Sequence, residues 1–208
     1  VASTKSFTST LIVLSLIGMW FKEKKENVPV INTLRTLPGC VENLLDNIWF
    51  KNKCLEITEF INMQKIQSIF ILGREKMFPV AREIALKVKE ITYIHAEGYS
   101  SGALKHGPFA LLDPKALVIL LIDDKNKESL LSTFHEIVSR DTNCCVVTDC
   151  GSDLMDIDID LKLELPNIPH YQEVIFSIAL QYLSYVLSVS RNLNPDKPRN
   201  LAKVVTVE

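Results

Sequence analysis

Three short apolar runs, each shut off by a glycine or an aspartate, constrain this chain more than any other feature of its sequence. Residues 68–72 (SIFIL) stop at Gly73, residues 116–122 (ALVILLI) at Asp123-Asp124, and residues 144–148 (CCVVT) at Asp149. None alternates apolar with polar, as a strand with one wet face would. The runs therefore suit strands covered on both faces. Helical stretches at 79–90 and 127–138 separate them. Strand and helix in this rhythm specify an α/β domain with a mostly parallel sheet flanked by helices. Residues 156–165 are of another kind. There Ile157, Ile159, Leu161, Leu163 and Leu165 alternate with charges, which predicts a two-sided strand at a sheet edge. A long apolar helix is expected at 172–191.

The N-terminal part is helical. Residues 3–24 read as one helix, apolar over most of its surface and so expected to be mostly buried. A charged break at 22–25 leads to helical segments at about 30–49 and 52–64, and Pro38-Gly39 predicts a kink or turn inside the first. Residues 194–208 read as an extended tail. The apolar stretch 11–21 is too short for the roughly 20 residues a bilayer needs, so no membrane segment is expected. Lys and Arg number 23 against 25 Asp and Glu, which leaves no basic footprint for nucleic acid. A chain of 208 residues, 47% hydrophobic and 23% charged, can hold a core without staples. Its five cysteines form no CxxC pair, which speaks against a disulfide framework and for reduced thiols in a cytoplasmic protein. The first residue is Val, and the expectation is that the chain begins inside a longer polypeptide.

Few residues invite a chemical reading by themselves. Glu83, Lys87 and Glu90 stand at i, i+4 and i+7, on one helical face. That spacing also makes an ordinary solvated ion-pair ladder. The sharper reading is an acid/base cluster, in which the lysine holds one carboxylate ionised for proton transfer. The helix starts at the carboxyl end of the strand at 68–72, the edge where open parallel sheets bind ligands. His106 sits in LKHGP (104–108), behind a loop bearing Gly98 and Gly102, where a histidine serves either a turn or a site. Lys203, taken alone, reads as a solvated charge. There is no GxGxxG loop and no histidine spacing for a metal, so neither cofactor nor metal is expected.

Taken in order, the segments VASTKSFT (1–8), ILGR (71–74), EIALKVKEITYIHAEGY (83–99), LKHGP (104–108), PRNLAK (198–203) and VTVE (205–208) change the picture. Together they resemble the C-terminal part of the glutamine–fructose-6-phosphate aminotransferase (isomerizing) family, the glucosamine-6-phosphate synthases. The likeness runs from 1 to 208. It is strongest at the two ends and around 83–108, and a matter of pattern over 25–66 and 123–190. The resemblance implies a three-layer fold of the sugar-isomerase (SIS) type. Residues 1–25 would be the closing helix of a first SIS domain, 26–191 a second SIS domain, and 192–208 a tail with a catalytic lysine. It implies conversion of fructose 6-phosphate and glutamine-derived ammonia to glucosamine 6-phosphate, in hexosamine biosynthesis. The partners implied are a second copy in a homodimer and a glutaminase domain upstream.

The resemblance also implies roles for residues. The backbone around Val1 and Ala2, with Ser3, would contact fructose 6-phosphate, and Glu83 would belong to the same binding site. Glu90 would move the proton between C1 and C2, with Lys87 as its cationic partner. His106, lent by the neighbouring subunit, would open the ring. Lys203 would form a Schiff base with the open-chain ketose. The chain departs from the family at three places. The usual GRG is Gly73-Arg-Glu75, the usual GELKH carries Ala103, and the usual KSV is Lys203-Val-Val205. None falls on an acid/base position. The family's Ser/Thr-rich phosphate loop belongs to the first SIS domain and has no counterpart here, so part of a site is expected. Two other assignments stay open at this point: a related SIS sugar-phosphate isomerase or deglycase, and a non-catalytic sugar-phosphate-binding regulator. A regulator has no need of Glu90, His106 and Lys203 together.

Overall fold

A computed structural model describes residues 2–155 and 157–202. Three helices come first: α1 Lys5–Trp20, α2 Lys24–Asp46 and α3 Ile48–Met63. Strands and helices then alternate: β1 Ser68–Gly73, α4 Met77–Thr92, β2 His95–Ser100, β3 Ala116–Ile122, α5 Lys127–Val138, β4 Asn143–Thr148, β5 Leu161–Glu164 and α6 Gln172–Ser190. The five strands form one parallel sheet in the order β2-β1-β3-β4-β5. The three unbroken apolar runs occupy its middle, as burial on both faces requires.

Side chains alternate between the two faces. Ile69, Ile71, Leu117, Ile119 and Leu121 join the core formed with α3, α4 and α6. Phe70, Leu72, Val118, Leu120 and Ile122 face α5 and, through Leu104, a 3₁₀ turn at Ser101–His106. The result is three layers. Helix α6 has the length and apolarity to cross a membrane, yet it lies at the centre of the first core, with Phe176, Ala179 and Leu180 fully buried.

Four expectations need correction. Helix α1 is not mostly buried. Met19 is its only buried residue, while Val13, Leu14, Leu16 and Ile17 are exposed. A helix apolar all round can bury just one flank in this chain, here Leu11 and Ile12 against the core and Ser15, whose hydroxyl lies 3.1 Å from that of Tyr171. Of the kink or turn expected at Pro38-Gly39 there is no turn: α2 runs through both. Both residues are exposed, and the proline costs the helix one hydrogen bond, to the Leu34 carbonyl. The break falls at Asn47, which caps α3 by accepting a hydrogen bond from the Phe50 amide at 3.1 Å. Finally, 95–100 is a strand and not part of a loop. Its residues HAEGYS hold no apolar run, because β2 is an edge strand whose α4 face admits only the small Ala96 and Gly98. At the other edge β5 is confined to 161–164, shorter than the alternation at 156–165 suggests.

Candidate functional site

Helix α4 leaves the carboxyl end of β1 and runs back toward its amino end, packing on β1, β2 and α6. Lys87 sits on its inner side, 3% exposed, with Nζ 2.6 Å from Glu90 Oε2 and 3.6 Å from Glu83 Oε1. Glu83 and Glu90 are themselves 14% and 20% exposed. The triad is therefore mostly buried, not a solvated ladder. A buried ammonium is tolerated only where carboxylates surround it, which is what the i, i+4 and i, i+3 spacings provide. Burial raises the Glu83 carboxyl above its ordinary range, and the charge and hydrogen bond of Lys87 oppose that rise.

Edge strand β2 is pressed against this helix. A Cβ on Gly98 would lie 2.6 Å from the Ala81 carbonyl oxygen and from the Arg82 backbone, so only glycine lets the two elements approach so closely. Beside this contact a cleft of about 430 Å³ is lined by Phe7, Arg82, Glu83, Lys89, Glu97 and Gly98, among others. Across it Lys89 Nζ stands 3.3 Å from Glu97 Oε1. Arg82 and Lys89 set two cations in the cleft against the carboxylates of Glu83 and Glu97.

The far end of α4 is closed by side chains from three directions. Ser188 of α6 donates to the Ile91 carbonyl at 2.7 Å, and the Thr92 hydroxyl donates to the Val88 carbonyl at 2.8 Å. Tyr93 ends the helix in the left-handed conformation, with φ 61°. Its hydroxyl accepts the backbone N–H of Arg199 at 2.7 Å, and the Arg199 guanidinium lies 4.2 Å from its ring centroid. The C-terminal segment is thus fastened three residues beyond Glu90.

The structure does not bring His106 to this place. His106 is exposed at the end of the 3₁₀ turn that follows β2. The turn packs on the α5 side, through Leu104 and an ion pair between Lys105 and Glu136 at 2.7 Å. Glu90 lies before the start of β2, on the α6 side. A six-residue strand, about 20 Å long, and the thickness of the sheet separate them. Gly107, with φ 138°, turns the chain away directly after the histidine. Ala2 and Ser3 precede α1, and Phe7, one turn further on, reaches the Glu83 cleft. Val1 and Lys203 lie outside the described residues.

Helix α4 starts at the carboxyl edge of the sheet as expected, but Glu90 does not stand there. Glu90 is the fourteenth residue of the 16-residue α4, about 20 Å of helix away from the carboxyl edge of the sheet. That edge carries carboxylates of its own, Asp123, Asp124 and Asp149, around a cleft of about 260 Å³. Burial, with the two neighbouring aspartates adding to it, pushes Asp149 up to about 6. Among the described residues no group of three side chains is arranged to hold a metal. Arg82, Lys89, Tyr93, Glu97 and Arg199 did not stand out in the sequence. The period-two alternation of His95, Glu97 and Tyr99 with the small Ala96 and Gly98 is the signal that marks β2, of which Glu97 and Gly98 line the cleft.

A parallel three-layer sheet with a buried acid–lysine–acid triad on its first crossover helix defines a class, and sequence similarity agrees. The SIS domain model matches residues 62–191, and the chain belongs to the SIS-domain family. Over its whole length it is 37% identical to the glutamine–fructose-6-phosphate aminotransferase [isomerizing] of Methanosarcina acetivorans, and 37% identical to that of Acinetobacter baylyi. In both alignments it covers 34% of the relative, so the chain spans about a third of the length of the curated relatives it matches. Among solved structures it resembles the C-terminal domain of glucosamine-fructose-6-phosphate aminotransferase from Francisella tularensis. The TM-score is 0.82 at 29% identity, over 94% of this chain and 56% of that one. The glucosamine-6-phosphate deaminase from Thermotoga maritima shares the fold, with a TM-score of 0.66 at 23% identity over 98% of this chain and 57% of that one.

Proposed function

We propose that this chain supplies the sugar-phosphate isomerase chemistry of a glutamine–fructose-6-phosphate aminotransferase. The observation that carries the proposal is the buried Lys87 between Glu83 and Glu90. The amine of Lys203 adds to the C2 carbonyl of open-chain fructose 6-phosphate, and loss of water leaves an imine. Ammonia displaces the lysine. Glu90, ion-paired with Lys87, takes a proton from C1 and delivers it to C2 while the C1 hydroxyl proton passes to the nitrogen, which gives glucosamine 6-phosphate. Glu83 and the backbone at Val1 and Ala2, with Ser3, hold the sugar phosphate. The fastening of Arg199 on Tyr93 supports the role of Lys203. Arg199 is fastened at the end of α4 only four residues before Lys203, and four residues span at most about 14 Å.

The separation of His106 from Glu90 favours a homodimer in which each His106 opens the sugar ring at its partner's site. The exposed apolar flank of α1 favours the division into 1–25 as the close of a first SIS domain, 26–191 as the second, and 192–208 as the tail. A glutaminase domain upstream, supplying ammonia, accounts for part of the greater length of the relatives. Free cysteines, four of the five buried, fit a cytoplasmic protein.

The test is glucosamine 6-phosphate formation by the full-length natural protein. Glu90→Gln, which keeps size and hydrogen bonding but not the base, should lower kcat by about 10²–10⁴-fold. Borohydride with fructose 6-phosphate should trap an adduct on Lys203. Mixing His106→Ala with Glu90→Ala dimers should restore part of the activity. Undiminished turnover in Glu90→Gln sinks the proposal. Binding of fructose 6-phosphate with no turnover by the unaltered protein would point to a regulator instead.

A further inference from the structure

We propose that Tyr93 is a positioning residue that fastens the C-terminal tail to the end of α4, beside Glu90. The functional half of this claim rests on the roles given above to Glu90 and Lys203; the fastening itself does not. Tyr93 holds a left-handed conformation, φ 61°, which a bulky side chain adopts at a cost and which glycine or asparagine would take more readily. Such an outlier persists where its surroundings hold it. Two separate contacts do so here. The phenol oxygen accepts the Arg199 backbone N–H at 2.7 Å, and the ring face carries the Arg199 guanidinium 4.2 Å from its centroid. The first contact fixes the tail's backbone and the second its side chain.

The tail arrives folded for this docking. Asn194 accepts hydrogen bonds from the backbone N–H of Asp196, through its side chain at 2.9 Å, and of Lys197, through its carbonyl at 3.2 Å. Pro198 is buried next to the contact. Tyr93 therefore couples the helix that carries the base to the segment that carries the lysine. On the role given above to Lys203, a tail held at Arg199 leaves the residues beyond it less volume to explore than a free tail would, which raises the effective concentration of the amine at the sugar.

Hydrogen exchange read by mass spectrometry on the 208-residue chain tests the fastening without any substrate. Tyr93→Asn tolerates the left-handed backbone but removes ring and phenol, and it should speed exchange of residues 194–202 about tenfold or more. Tyr93→Phe keeps the ring and should speed exchange chiefly at the Arg199 amide. Arg199→Met breaks the ring contact from the tail side, without touching α4, and should fall between the two. Exchange over 194–202 that stays at the level of the unaltered chain in both Tyr93→Asn and Arg199→Met overturns the proposal. In the full-length natural protein, borohydride trapping on Lys203 should slow in the order unaltered, Tyr93→Phe, Tyr93→Asn. A loosened tail with an unchanged trapping rate overturns the positioning role while leaving Lys203 as the imine-forming residue. No adduct on Lys203 in the unaltered protein overturns the reading of Lys203, and the exchange result then decides the fastening alone.

Discussion

Carboxylates gather in two regions of this molecule, and a single lysine separates their chemistry. Along α4, Glu83 and Glu90 close on Lys87, the only buried lysine among the described residues. At the carboxyl edge of the sheet, Asp149 meets Asp123 and Asp124, while the bordering Lys76 turns to Glu173 at 3.2 Å. Burial pushes a carboxyl toward its neutral form in both regions. Lys87 opposes that in Glu83, whereas the neighbouring aspartates reinforce it in Asp149. The same carboxyl group thus has a cation opposing the rise in one region and two like charges adding to it, up to about 6, in the other. A cluster of acids says little until its counter-charge is known.

The contrast can be broken most directly at Lys87. Lys87→Ala leaves two carboxylates facing each other in a mostly buried place, and it should destabilise the chain by about 3 kcal/mol in denaturant unfolding. Asp124→Ala, which relieves a like charge at the other region, should not destabilise it comparably. An equal loss in the two variants would erase the distinction. Gly98→Ala comes next. Its Cβ would collide with backbone at Ala81 and Arg82, and forcing β2 off α4 should destabilise by about 2 kcal/mol, again by denaturant unfolding.

Smaller effects belong to the carboxyl edge. Glu75 stands where the resembled family has glycine, and its φ is 49°. Glu75→Gly should therefore stabilise the chain by about 1 kcal/mol in thermal unfolding, and a loss of stability would show that the side chain has a role there. The smallest effect is the pH dependence of Asp149. Its folded value, about 6, is raised above the ordinary 3.8, so its contribution to stability is full below 3.8 and is lost as pH rises through 6. Asp149→Asn should match the parent chain at pH 3.5 and exceed it at pH 7.5. A constant difference across that range would mean that Asp149 does not titrate as its burial implies.

How much of this was legible in the sequence varied with what each residue depends on. The central strands could be read because their burial is written in unbroken apolar runs, and α5 because its bounds, 127–138, are set by its own period. Strand β2 could not be read as one. It is held by pairing with β1 and by the close fit of Gly98 on α4, contacts that leave only a faint alternation in the sequence. The triad was legible as a face, since three spacings place it on one side of a helix. Whether that face was wet or buried was not, because the answer depends on how α4 lies against β1, β2 and α6.

By itself, then, the sequence determined the class of fold, the central strands and the membership of the triad. These follow from local periodicity, which each segment carries within itself. The tertiary structure alone decided the rest. It buried Lys87, put Glu90 and His106 on opposite faces and at opposite ends of β2, and laid Arg199 on Tyr93 across 106 residues of chain. The physical reason is that burial, counter-charge and proximity are properties of pairs of segments, and no single segment encodes the distance to its partner.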